Sequence, residues 1–60
     1  MKLDDVKLLV REKYHLQMFD DGNENYALMN LNDKRVGSVS LIKGTKDEYR
    51  LEIDSLKLND

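Results

Sequence analysis

The chain has 60 residues, 40% hydrophobic and 37% charged, with a formal net charge of −2, no cysteine, no proline and a single histidine, His15. That composition excludes disulfides and thiolate metal sites, leaves a histidine-based zinc site only with carboxylates or a second chain, and lacks the basic surplus of a phosphate-backbone binder. A chain of this length buries only about 60% of the surface its unfolded form exposes. Small scaffolds add a disulfide, a metal or another subunit, and here self-association is the staple that remains.

Met1-Lys2-Leu3-Asp4-Asp5 turns acidic at once and has no signal-peptide core. No apolar run approaches the roughly 18 residues of a membrane span. A cytoplasmic protein without membrane contact is expected, folded as one domain over residues 1–60.

Leu3 to about Glu12 reads as a helix, with Asp4 as N-cap, Asp5 in the first turn, and Leu3 and Leu8 at the spacing of a hydrophobic staple. Val6, Leu9 and Val10 form its apolar stripe, which serves either a partner or the protein's own sheet. Four extended runs follow: Tyr14 to Phe19, Tyr26 to Leu31, Arg35 to Ile42, and Glu48 to about Asp54. Polar turns at 20–24, 32–34 and 43–46 separate them, which is the pattern of antiparallel hairpins. The expected fold is α+β: one N-terminal helix packed on a four-stranded antiparallel meander, in two layers.

Register decides which side chains face the helix, since a slip of one residue exchanges the two sides. Facing Phe19 with Tyr26, Leu31 with Arg35 and Leu41 with Tyr49 puts an apolar set under the helix. That set is Tyr14, Leu16, Met18, Ala27, Met29, Leu31, Val39, Leu41, Tyr49, Leu51 and Ile53. The other face then carries a cluster of Phe19, Tyr26 and Leu28, with Val36 nearby. Leu56 and Leu58 have the opposite parity to Leu51 and Ile53: a bulge near Asp54-Ser55 resets the phase, or the tail leaves the sheet, or both leucines pack on that second face or on a neighbouring chain. Exposed contiguous apolar patches mark protein interfaces, so Phe19, Tyr26, Leu28, Val36, Leu56 and Leu58 form the candidate interface.

Motifs for chemistry are sparse. His15 is the one side chain titrating near neutrality, and it has neither a nucleophile nor an oriented carboxylate at a spacing that fixes geometry. Asp20-Asp21-Gly22-Asn23-Glu24 clusters acidic oxygens around a glycine. Counted as a calcium loop, however, it places Leu31 where the bidentate glutamate belongs. Lys43-Gly44-Thr45-Lys46 has the letters of a phosphate loop without its pattern. Both read as turns.

The stretch Leu31-Asn32-Asp33-Lys34-Arg35-Val36-Gly37-Ser38-Val39-Ser40-Leu41 resembles a hairpin of GNAT-type acetyltransferases, in which a turn and a "VG" strand precede the cofactor strand. The family's pyrophosphate loop, Q/RxxGxG/A, is missing, and the resemblance carries over no fold, cofactor or site.

No enzyme and no cofactor are expected. The expected function is that of a small intracellular protein-interaction or self-associating module, a homodimer, of a size that suits an accessory protein of a phage or mobile element. The alternative is a nucleic-acid accessory protein using Lys34, Arg35, Lys43 and Lys46 in its hairpin loops, with steep salt dependence as its signature.

Overall fold

A computed structural model describes residues 1–58. Helix α1 (Leu3–Glu12) is followed by strands β1 (Gln17–Asp20), β2 (Asn25–Met29), β3 (Arg35–Leu41) and β4 (Tyr49–Ile53), then a single 3₁₀ turn over Ser55–Lys57. The strands form one antiparallel meander in the order β1-β2-β3-β4. Helix α1 lies across one face and touches both edge strands. The fold class expected from the sequence is the one observed. No helix among the described residues is long and apolar enough to cross a membrane.

Helix α1 starts two residues earlier than an Asp4 cap would have it. The N-cap is Lys2, without a side-chain cap bond, and Asp4 and Asp5 lie inside the first turn, where the helix dipole favours them. Leu8 is exposed, so no staple forms with Leu3. Val6 and Val10 are buried on one stripe, as their helical spacing requires.

The helix ends tightly. Lys13 and Tyr14 both donate their N–H to the Leu9 carbonyl, at 3.0 and 3.4 Å, and Leu16 N–H reaches the Val10 carbonyl at 3.0 Å. This closure needs a left-handed residue, supplied by His15 at φ 56°; histidine is among the residues enriched there. Tyr14 and His15 are therefore spent on the turn, and β1 opens at Gln17 instead of Tyr14.

Two of the three registers differ from expectation by one residue. Phe19 pairs with Ala27 and Met18 with Leu28. Tyr26 pairs with Val39 and Leu28 with Gly37. For the β2–β3 pair the cause is the turn between them. Asn30 is buried, and its Oδ1 accepts N–H bonds from Asn32 at 2.9 Å and Lys34 at 3.0 Å, while Asp33 takes the left-handed conformation. Asn30 N–H also donates to the Lys34 carbonyl at 2.9 Å. The turn is thus locked between Asn30 and Lys34, and Leu31 stands at its tip, 78% exposed, rather than in a strand. A bulge then separates the Met29–Arg35 pair from the Leu28–Gly37 pair. It lets Val36 and Val39 enter the same core despite their odd separation. The β3–β4 register, with Leu41 facing Tyr49 and Gly37 facing Ile53, is as expected.

The core is built from Val6, Val10, Leu16, Leu28, Val36 and Val39, with Met18, Tyr26, Tyr49, Leu51, Ile53 and Leu58 packed around it. Tyr26 and Tyr49 meet with ring centroids 6.4 Å apart. Burial raises the Tyr49 phenol above its ordinary value, with smaller contributions from Tyr26 and Glu24. At Gly37 a Cβ would collide with the Glu52 carbonyl oxygen and lie 3.1 Å from Ile53 Cα, so the closeness of β3 and β4 there requires glycine.

Met1 and Lys2 clasp the start of β4. Tyr49 N–H donates to the Met1 carbonyl at 2.7 Å. Lys2 Nζ bridges Asp47 at 2.9 Å and Glu48 at 2.7 Å. The bond from Lys2, aided by the Met1 amino group, holds the Glu48 carboxyl below its ordinary value.

Candidate interaction surface

The register sets the composition of the sheet face away from the helix, because alternate side chains of a strand share a face. One row across the sheet is Phe19, Ala27, Ser38 and Glu52; beside it Gln17 pairs with Met29 and Arg35, and Asn25 with Ser40 and Arg50. This open face carries Phe19, Ala27 and Met29 beside the amides Gln17 and Asn25 on β1 and β2, two hydroxyls and Arg35 on β3, and charge on β4. Phe19 is 51% exposed, and Met29 is its diagonal neighbour. Arg35 Nη2 lies 3.8 Å from Asp21 Oδ2, an ion pair that spans β2 on this side.

The structure does not assemble the six residues of the expected interface. Phe19 is on the open face. Tyr26, Leu28 and Val36 face the helix; Leu28 and Val36 are fully buried, because the one-residue shift moves them under α1 while Ala27 and Met29 move out. Leu56 is 88% exposed on the 3₁₀ turn, and Leu58 closes the core near Tyr14 and Leu16 instead of covering the open face. Ala27 and Met29 were the residues missed. They belong to the run Tyr26-Ala27-Leu28-Met29, apolar at every position, so alternation there carried no information about facing.

Shallow grooves flank the sheet. One, of about 470 Å³, runs between the start of β3 and the end of β4 and is bounded by Arg35, Glu52, Asp54 and Lys57. The Asp54 carboxylate is engaged in accepting the Leu56 N–H at 3.1 Å. Another, of about 350 Å³, holds His15 beside Tyr14, Asn30 and Leu58. His15 is exposed and serves the helix turn. Among the described residues no three histidine, aspartate or glutamate side chains come together as a metal set.

The acidic segment after β1 is a turn: Asp20 Oδ1 accepts the Gly22 N–H at 2.8 Å, and Gly22, Asn23 and Glu24 all have positive φ. Thr45 closes the β3–β4 turn, donating its hydroxyl to the Ile42 carbonyl at 2.7 Å. Lys34 and Arg35 lie at one end of β3, and Lys43 and Lys46 beyond the other, so these cations form no continuous track.

No protein-family model, curated protein or solved structure matches the chain.

Proposed function

We propose that this protein is a non-catalytic interaction module that associates with a second copy of itself, in the cytoplasm, through the β1 side of its sheet. The observation that carries this reading is Phe19. It is a large aromatic side chain, half exposed, beside Ala27 and Met29 on a face that no other element of the described residues covers. Aromatic residues and methionine are enriched in the centres of protein interfaces. A chain without cysteine, whose described residues bring together no metal set, also gains stability from a second subunit, and nothing in a cysteine-free fold calls for an oxidising compartment.

The test is solution mass by light scattering over a roughly hundredfold concentration range, since association follows mass action. The wild type is expected to move from monomer to dimer. Phe19→Asp is expected to remain monomeric with its helix content unchanged. A wild type monomeric throughout the range overturns the reading.

A further inference from the structure

The hydrogen-bond pattern of the sheet identifies which backbone groups its edges leave free. Asp21 N–H donates to the Asn25 carbonyl at 2.8 Å. In the observed register this makes Asp21–Asn25, Phe19–Ala27 and Gln17–Met29 the bonded pairs between β1 and β2. The even residues of β2 bond to β3, as the Asn30-to-Lys34 bond at 2.9 Å shows, so the alternation is consistent across the sheet. The N–H and C=O groups of Met18 and Asp20 therefore point away from β2, out of the sheet edge.

The opposite edge is less available. The outward groups of β4 belong to Tyr49, Leu51 and Ile53. Those of Tyr49 are taken by Met1, its N–H at 2.7 Å and its carbonyl at 3.3 Å. The exposed charges of Arg50 and Glu52 flank the remainder, and the chain turns away at Ser55. Charged side chains and early turns are the usual guards of an edge strand. β1 has no proline, lysine or bulge, and its one charged side chain, Asp20, is folded back onto the Gly22 N–H.

Resting on the self-association reading, we infer that two copies join along β1, antiparallel, about a two-fold axis through Phe19. An axis perpendicular to the sheet keeps both open faces on one side. Placed at Phe19, it sets Met18 of each copy opposite Asp20 of the other, so every outward group of β1 finds a partner. Phe19 then faces Phe19 of the second copy at a non-hydrogen-bonded position, where cross-strand side chains approach most closely. Gln17 faces Asp21 of the second copy and offers its amide to that carboxylate. An axis at Met18 is poorer. It sets Asp20 opposite Leu16, whose N–H is already committed to Val10.

A chain without cysteine allows a direct test. Antiparallel non-hydrogen-bonded pairs have Cα atoms about 4.5 Å apart, inside the range a disulfide spans. Phe19→Cys is expected to oxidise to a covalent dimer about tenfold or more faster than Glu52→Cys, which sits on the opposite edge strand. Hydrogen exchange on the wild type supplies a measurement that keeps the phenylalanine: the Met18 and Asp20 amides slow as concentration rises, while those of Leu51 and Ile53 do not. If the wild type dimerises but Glu52→Cys cross-links as fast and the Met18 and Asp20 amides ignore concentration, the β1 joint is wrong and self-association stands. If the wild type is monomeric throughout, both fall.

Discussion

Truncating Leu28 to alanine is the sharpest test of the sheet's facing. Leu28 is 0% exposed and sits between Met18 and Gly37 under helix α1. Leucine-to-alanine changes at such sites cost about 2–5 kcal/mol. A chain of 60 residues has a total stability on the order of 3–9 kcal/mol, at roughly 0.05–0.15 kcal/mol per residue. One truncation thus removes a large share of it. Phe19, half exposed on the other face, loses only about half of the ~1.5–3 kcal/mol that full burial of its side chain is worth, or ~1 kcal/mol. Urea unfolding followed by far-ultraviolet circular dichroism, at dilutions where the chain is monomeric, separates the two. With a slope of about 1 kcal/mol/M, Leu28→Ala lowers the midpoint by ~2 M or more and Phe19→Ala by ~1 M. If Phe19→Ala costs as much as Leu28→Ala, the β1–β2 register is off by one residue and the faces are exchanged.

Gly37→Ala forces a Cβ into the Glu52 carbonyl, and a loss of about 1–3 kcal/mol is expected; thermal unfolding checks it, and an unchanged melting temperature would mean that β3 and β4 lie farther apart. His15→Gly removes a side chain held at positive φ and is expected to leave stability unchanged or raise it by up to about 1 kcal/mol, while His15→Val lowers it; urea midpoints report both. The Glu48 carboxyl is held below its ordinary value first by Lys2 and then by the amino group. A depressed folded value means the contribution is present above the unfolded value and disappears as pH falls through the folded one. Lys2→Met should return Glu48 toward the ordinary carboxylate range in a carbon-detected NMR titration and flatten the acid limb of the stability curve; an unmoved Glu48 removes the clasp.

The helix and the third hairpin were legible because their patterns constrain them. Val6 and Val10 repeat at helical spacing, and Val39, Leu41, Leu51 and Ile53 alternate cleanly with polar neighbours. The first two hairpins were not. The second register depends on the Asn30 side chain binding the Asn32 and Lys34 amides and on the bulge at Arg35–Val36, the first on the Asp20 carboxylate and the Asp21–Asn25 bond that close its turn. Such side-chain-to-backbone bonds leave no periodic trace, and β2, apolar at four consecutive positions, could accept either facing. The interface expectation inherited that ambiguity, which is why only Phe19 among its sheet residues remains on the open face.

The clasp of Met1 and Lys2 on β4 has a kinetic consequence. Each strand pairs with its neighbour in sequence, so the sheet is made of local contacts and its formation requires little loop closure. The Met1–Tyr49 bond spans 48 residues and ties one end of that series to the other. Contacts of such long range are expected after the rate-limiting barrier, where they act on unfolding rather than folding. The clasp is a latch on the folded state: without it the protein folds as fast but stays folded for a shorter time.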